Sequence, residues 1–438
     1  MNLVICEKPS VAMSIAKVIG ATGRQKGYYE GGGYIVSWCV GHLIQMASPS
    51  AYDEKYGKWK LEDLPIIPGK YKYDVVRATR GQFNTLKKLM NSKEIETVIN
   101  ACDAGREGEL IFRLVYEQAG CKKNIKRLWI SSMEDVAIKE GFKQLKDGKE
   151  YEALYQSALT RSKADWLVGM NMSRLYSLIY NQNYSVGRVQ TPTLFMIVKR
   201  DDEITAFKKE KYYTGELYCT GFTLSTDRID SLEIVEDLVN VVGNKITVRN
   251  VEKKEKLTKP DLPFDLTTLQ RECNKYFGYS AKQTLDYAQS LYEKKMITYP
   301  RTDSRYLSED MIINTVNNIL GKNDFDTERI KVIFNSTKVT DHHAIIPTVS
   351  SLNEDMSTIP ESERKIYNLI LNKLHASAGY PLIENITKIV AVYESQGDVF
   401  EFKASGKVIT GEGFTKYLKQ YGSKKNEDIL LPDLNVGD

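Results

Sequence analysis

Tyr299, Pro300 and Arg301 are the residues of this chain whose types and spacing most directly suggest chemistry. Proline fixes its own φ and pushes the preceding residue towards an extended backbone. With Tyr299 and Arg301 both extended, their side chains project from one side of the chain. A guanidinium can then hold a phosphate against the phenol oxygen through two parallel hydrogen bonds. A phenol, with an ordinary pKa of about 10, is a weak nucleophile until it is helped in this way. The chain has 27 tyrosines, so Tyr299 alone identifies nothing; what converges on it decides.

Two stretches supply candidate partners. Leu3 to Cys6 is a short apolar run that reads as a buried strand. Glu7-Lys8-Pro9-Ser10 follows, then Val11 to Ile19 with helical spacing, stopped by Gly20. The second stretch repeats the pattern: Glu96 to Cys102 as strand, Asp103 at its end, and a helix opening through Ala104-Gly105-Arg106-Glu107-Gly108-Glu109 and running to Gly120. In α/β sheets the chemistry sits beyond the carboxyl ends of the strands, where Glu7, Lys8 and Asp103 fall. Carboxylates at 103, 107 and 109, with Glu7, could converge on one hard cation. Magnesium, which takes one or two carboxylates and keeps several waters, is the natural candidate. Glu107 and Glu109 also suit a helix N-terminus for purely structural reasons.

At 438 residues the chain exceeds one compact core, and roughly two to four domains are expected. Its 42% hydrophobic and 27% charged residues are those of an ordinary globular protein. A net charge of +4 means that any nucleic-acid surface must come from local clustering. Six cysteines without a C-x-x-C pair argue against a disulfide framework or a zinc ribbon and fit a reducing cytoplasm. Glu7 and Lys8 interrupt the N-terminal apolar run, so no signal peptide is expected. No apolar run approaches the roughly 18 residues that a membrane helix needs. A G-x-x-x-x-G-K-[ST] phosphate loop is also missing.

Taken in order, Glu7-Lys8-Pro9-Ser10, Asp103-x-Gly105-Arg106-Glu107-Gly108 and Ile297-Thr298-Tyr299-Pro300-Arg301-Thr302-Asp303-Ser304 resemble type IA DNA topoisomerases, most of all those of the bacterial topoisomerase III kind. The first two motifs resemble the Toprim domain, an α/β metal-binding module. The family's usual acidic triad is Asp-x-Asp-x-Glu, and Gly105 departs from it. Asp103 and Glu107, with Glu7, are therefore the ligands implied for Mg2+. The resemblance implies a multidomain α/β and α+β fold, an incomplete version of the family's toroid. Its parts would be a Toprim-like domain at 1–148, a helical DNA-binding domain beginning at 149–209, a β arch at 210–257, a helical tyrosine-bearing domain at 258–382, and the return of the arch at 383–438. The family's remaining DNA-binding segment would be absent, through a cut, a natural truncation or a split gene.

The resemblance also assigns roles. Tyr299 would attack single-stranded DNA to form a 5′-phosphotyrosine, with Arg301 and Lys8 stabilising charge and Glu7 exchanging a proton with the leaving 3′ oxygen. His342, the first histidine of Asp341-His342-His343, is assigned to the tyrosine side, where as a cation or donor it could bond the scissile phosphate or Asp103. No third ligand of the right type lies near the histidine pair, which argues against zinc. Trp59 would stack on an unpaired base. Arg161, Ser162 and Asp165 share one helical face of a DNA-binding helix by their spacing. In Ser185, Val186, Gly187, Arg188, Val189 and Gln190, the glycine permits close approach, the arginine can bind phosphate and the glutamine can reach a base edge or sugar. The segments 212–214, 216–220, 245–248, 387–393 and 399–403 read as strands, and Lys253-Lys254-Glu255-Lys256 as a charged linker.

The implied function is ATP-independent relaxation or decatenation by an isomerase that cuts one strand, passes another and reseals. The expected partners are single-stranded DNA and DNA with single-stranded regions. No membrane partner is expected; the chain would be a monomer, with a separate polypeptide as one source of the missing segment. The expected location is the bacterial cytoplasm, at the nucleoid or a plasmid. A non-catalytic single-strand-binding relic and a different Toprim enzyme, primase-like or nuclease-like, are the competing readings.

Overall fold

The structure, a computed structural model, describes residues 1–239, 246–321, 325–395, 398–422 and 428–438. The chain divides into two compact units. The first comprises Met1–Thr205, Leu285–Asp303 and Thr340–Glu363; the second comprises Ala206–Thr284, Ser304–Val339 and Arg364–Asp438.

The first unit is an α/β layer built on β1 (Asn2–Cys6). After it come α1 (Pro9–Ile19), β2 (Gly23–Gln25), β3 (Tyr28–Gly31), β4 (Tyr34–Trp38), β5 (Ile44–Met46), β6 (Tyr73–Val75), α2 (Arg80–Met90), β7 (Thr97–Ala101), α3 (Arg106–Ala119), β8 (Asn124–Arg127), α4 (Asp135–Lys143) and β9 (Lys146–Asp147). Seven strands form one sheet in the order β2-β3-β4-β1-β7-β8-β9, while β5 and β6 pair separately. β1 lies between β4 and β7, parallel to both. Leu3, Val4, Ile5 and Cys6 are wholly buried, which explains an apolar run with no polar alternation. Proline opens α1, and Gly20, at φ 81°, closes it in the left-handed region.

The register of β1 on β7 places the chemistry. Asn2 pairs with Thr97 and so on up to Cys6 with Ala101, so Glu7 and Cys102 leave the sheet at the same carboxyl edge. Asp103 comes next, and α3 starts three residues later. Two long helices follow, α5 (Glu152–Tyr180) and α6 (Gln190–Thr205). α5 packs on α3 and adds Tyr155 and Ala158 to the unit's core. α6 is exposed along its whole length, including the consecutive Leu194, Phe195, Met196, Ile197 and Val198.

The second unit contains β10 (Glu216–Cys219), β11 (Phe222–Ser225), α7 (Leu232–Val239), β12 (Thr247–Thr258), α8 (Leu266–Phe277), β13 (Leu382–Ser395) and β14 (Asp398–Gly411). Its strands form an antiparallel sheet in the order β10-β11-β14-β13-β12. The run Lys253–Lys256 is not a linker. It lies inside β12, paired with β13 from Lys253↔Thr387 to Lys256↔Glu384. β12 is an edge strand, and lysines along an edge oppose pairing with other chains, which is why a strand here reads as a polar run. Residues 212–214 form only an isolated bridge, Tyr213↔Ile229, and Lys245 falls outside the described residues. Among the described residues no helix is long and apolar enough to cross a membrane.

Candidate active site

The tyrosine segment is fastened by its neighbours in the first unit. α9 (Ala281–Glu293) ends just before it, and Lys295, at φ 63°, turns the chain sharply. Met296 to Thr302 then runs beside Asp341 to Thr348. Thr298 N donates to Ile346 O at 2.9 Å and Thr348 N to Met296 O at 3.0 Å. The Thr298 hydroxyl donates to Ala344 O at 3.2 Å, and the Thr302 hydroxyl to His342 O at 3.0 Å. Tyr299 N donates to Ser131 O at 3.1 Å, which ties the segment to the loop after β8.

This fastening carries Tyr299 to the carboxyl edge of the sheet. Its hydroxyl donates to Oδ2 of Asp103 at 3.1 Å, across 196 positions of sequence. Glu7, Asp103, Glu107, Arg161, Arg301 and His342 line, with Tyr299, one cavity of about 230 Å³. Tyr299 and Arg301 therefore open on the same space, as their extended spacing implies.

Burial sets the electrostatics. It pushes Glu7 up to about 7, reinforced by repulsion from Asp103 and opposed by Lys8 and Arg301. It also raises Asp103, against the hydrogen bond from Tyr299 and the attraction of Lys8 and Arg301. The Tyr299 phenol, 8% exposed, is pushed well above the ordinary tyrosine range by desolvation and then by Asp103 and Glu7. In this arrangement Tyr299 is a neutral donor, and the carboxylates beside it hold protons more readily than usual.

The main chain of Asp103 is held from below. Arg127 is wholly buried, and its guanidinium donates to the carbonyls of Asn100 (3.1 Å), Cys102 (2.7 Å), Leu128 (2.8 Å) and Asp103 (2.7 Å). Its Nε lies 3.2 Å from Glu109. Glu109 also accepts from Asn100 at 2.8 Å and from Arg113 at 2.9 Å. Glu109 is therefore a buried structural anion facing away from the cavity, and cannot compensate for Gly105 as a ligand. Gly108 is needed where it stands, because a Cβ there would lie 2.1 Å from the Asp103 carbonyl oxygen.

His342 differs from the role expected of it. One ring nitrogen is bonded to the Ala104 carbonyl and the other lies 3.1 Å from the Ser131 hydroxyl. Burial lowers it to about 4, so it is neutral and engaged rather than a cation aimed at Asp103. Its ring lies 4.4 Å from that of Tyr299 and stacks at 6.3 Å on Trp129. Lys8 is engaged as well: its ammonium lies 2.9 Å from Glu293.

Of the remaining sequence candidates, Glu107 and Arg161 share that cavity and the others are not among its lining residues. Glu107 is half-exposed, 3.5 Å from His42 and 3.9 Å from Arg161, and its hydrogen bond with His42 holds its pKa down. Arg188 grips Asp165 with two bonds of 2.6 and 3.3 Å, while Arg161 stands 3.9 Å from the same carboxylate. Ser162 lines a separate cavity with His42 and Trp166. Gln190 donates to the Ser185 hydroxyl at 2.9 Å, Val186 N to Ser173 at 2.9 Å, and Gly187 N to Thr191 at 3.1 Å. Val189 is exposed. The Trp59 ring is partly exposed, with the Arg174 guanidinium 5.3 Å from its centre.

Among the described residues no three metal-binding side chains form a ready-made cluster. Glu7, Asp103 and Glu107 nevertheless open on the same cavity, and a donor set of few carboxylates with room for water suits a hard divalent ion.

A model of the Toprim domain matches residues 2–133, and a model of a DNA topoisomerase family matches residues 149–438. The chain belongs to the type IA DNA topoisomerase family. Toprim domains of this family bind divalent metal. The chain is 40% identical over 463 aligned residues to DNA topoisomerase 3 of Bacillus subtilis, covering 100% of this chain and 63% of that protein. It is 44% identical to DNA topoisomerase 3 of Bacillus thuringiensis over 86% of this chain and 54% of that one. It thus spans under two thirds of the length of these topoisomerase relatives. Full-length topoisomerase I from Thermotoga maritima shares the fold, with a TM-score of 0.73 at 22% identity, covering all of this chain and 70% of that one.

Arg127, Ser131, Tyr292 and Glu293 touch the central residues without having been legible in the sequence. Tyr292 packs edge-on against Tyr299 at 5.2 Å. Only Glu293 carried a local hint, a charge at the end of the helix leading to the tyrosine.

Proposed function

We propose that this site cleaves one strand of single-stranded DNA by transesterification and reseals it without ATP. The hydrogen bond from Tyr299 to Asp103, inside a cavity shared with Glu7 and Arg301, carries the reading. The Tyr299 oxygen attacks a backbone phosphorus and the P–O3′ bond breaks, leaving a 5′-phosphotyrosine and a 3′-hydroxyl. Asp103, already accepting the phenolic hydrogen, takes the proton from the nucleophile. Glu7, whose carboxyl burial makes hold a proton more readily than an ordinary glutamate, supplies one to the departing oxygen and recovers it when the strand is rejoined. Arg301 stabilises charge on the phosphate, as does Lys8 once it is released from Glu293. His342, neutral and packed on the Tyr299 ring, fixes the ring's direction. Glu7, Asp103 and Glu107 are the residues that would hold magnesium, which supplies electrostatic orientation of the strand. Trp59, Arg161 and the segment from Ser185 to Gln190 would bind the strand.

One bond is exchanged for another of similar kind, so rejoining needs no external energy. The test is incubation with end-labelled single-stranded oligonucleotide followed by denaturation. DNA should remain linked to protein, Tyr299→Phe should abolish the link, and Arg301→Ala should cut it strongly while leaving binding within a few-fold. A DNA shift without linkage would indicate a binding protein, and free 5′ ends a nuclease.

A further inference from the structure

We propose that Glu293 is a placeholder for DNA phosphate on Lys8, so that an arriving strand must displace this carboxylate to engage the lysine. The proposal rests on the reading of Lys8 as a phosphate ligand. Glu293 Oε1 accepts from Lys8 at 2.9 Å and from Gln289 at 3.0 Å, and its Oε2 accepts from the Ser10 hydroxyl at 3.3 Å. A carboxylate satisfied by a lysine, a hydroxyl and an amide occupies donors of the kind a phosphate oxygen takes. Burial alone would raise Glu293, yet the bonds from Lys8, Gln289 and Ser10 hold it below its ordinary value, so it is an anion when DNA arrives. The two side chains are 31% and 28% exposed; a pair that water still reaches is weak enough to exchange partners.

The position of Glu293 gives the exchange a consequence. It is the last residue of α9, directly after Tyr292, whose ring packs against Tyr299. Glu293 is therefore a positioning residue: it acts through Lys8 and touches no reacting atom. While the pair holds, the turn bearing Glu7 and Lys8 is tied to the helix that leads into the nucleophile. When phosphate takes Lys8, that tie is released at the moment the substrate is bound.

Glu293→Gln keeps the shape and removes the competing charge. A fluorescent single-stranded oligonucleotide should then bind roughly three- to fivefold more tightly, the size expected from lifting one partly exposed ion pair. Covalent linkage should rise by the same factor at limiting oligonucleotide and change less than about twofold at saturation, a KM effect rather than a kcat effect. In a Lys8→Ala background the gain should vanish, because the two residues act through one contact. Glu293→Asp, which retains the charge but shortens the arm, should also tighten binding, and thermal midpoints confirm folding of each variant. Unchanged or weaker binding by folded Glu293→Gln overturns the proposal, as does a gain that survives without Lys8. If the wild-type chain links to DNA and the variants behave like it, only the placeholder role fails. If the wild type binds but never links, the nucleophile reading fails while the affinity comparison still decides the role of Glu293.

Discussion

Gly108→Ala should cripple the site although it adds a single methyl group in the first turn of α3. In the first turn of a helix, alanine is ordinarily the better residue by about 0.5–1 kcal/mol. Here the added Cβ would stand 2.1 Å from the Asp103 carbonyl oxygen and 2.9 Å from its carbonyl carbon and amide nitrogen. Ordinary van der Waals contact begins at 3.4 Å, so relieving the 2.1 Å approach requires the strand end bearing Asp103 to move by more than 1 Å. Overpacking of this kind costs about 1–3 kcal/mol. The same carbonyl accepts from buried Arg127, and weakening a charged hydrogen bond adds about 1.5–3 kcal/mol. The clash therefore outweighs the helix gain. For catalysis, a shift of about 1 Å in a reacting group is worth on the order of a hundredfold in rate. The assay is the rate of covalent linkage to an end-labelled oligonucleotide, measured beside binding affinity and thermal midpoint. Linkage should fall about a hundredfold with binding within a few-fold and a lower midpoint. A Gly108→Ala chain that links DNA at the wild-type rate would show that the main chain of Asp103 is not under this constraint.

Three further outcomes follow from the same contacts. Glu109→Gln leaves the Arg127 cation buried without its counter-charge and should destabilise the chain by about 3–5 kcal/mol in urea unfolding; a loss below about 1 kcal/mol would mean that the carbonyls alone hold Arg127. Glu7 has a folded-state pKa raised to about 7 from 4.5, so its stabilising contribution is full below the unfolded value and lost as pH rises through the folded one. Glu7→Gln should accordingly be more stable than wild type at pH 8, by on the order of 2–3 kcal/mol, with the gap closing towards pH 5; a pH-independent difference would refute the burial argument. Trp59→Ala should weaken oligonucleotide binding by about 1–3 kcal/mol if a base stacks on the indole, with a small fall in unfolding midpoint from the lost Arg174 contact, and equal affinity would remove Trp59 from the binding surface.

The strand-turn-helix units were legible because a strand buried on both faces is written as an uninterrupted apolar run, and Pro9, Gly20 and Gly120 punctuate the helices that follow. Their pairing brought Glu7 and Asp103 together by register alone. The approach of Tyr299 followed from motif resemblance, since nothing local in Met296–Thr302 says that Asp341–Thr348 lies beside it. The ties that direct the site's side chains were not legible. Arg127 bonding to four carbonyls and Glu293 holding Lys8 are contacts between residues far apart in sequence, with no period or spacing to reveal them. The choice between cation and neutral donor at His342 was not legible for a related reason: its charge depends on burial, which composition does not report. The linker reading of Lys253–Lys256 failed because an edge strand and a solvated loop have the same charge pattern.

The apolar residues Leu194 to Val198 on α6 face water, and bare side chains of this size favour contact with any similar surface. Concentration is then an experimental variable in its own right. Elution volume on gel filtration should move with the amount loaded, and mild detergent or a charged substitution such as Phe195→Glu should abolish that drift.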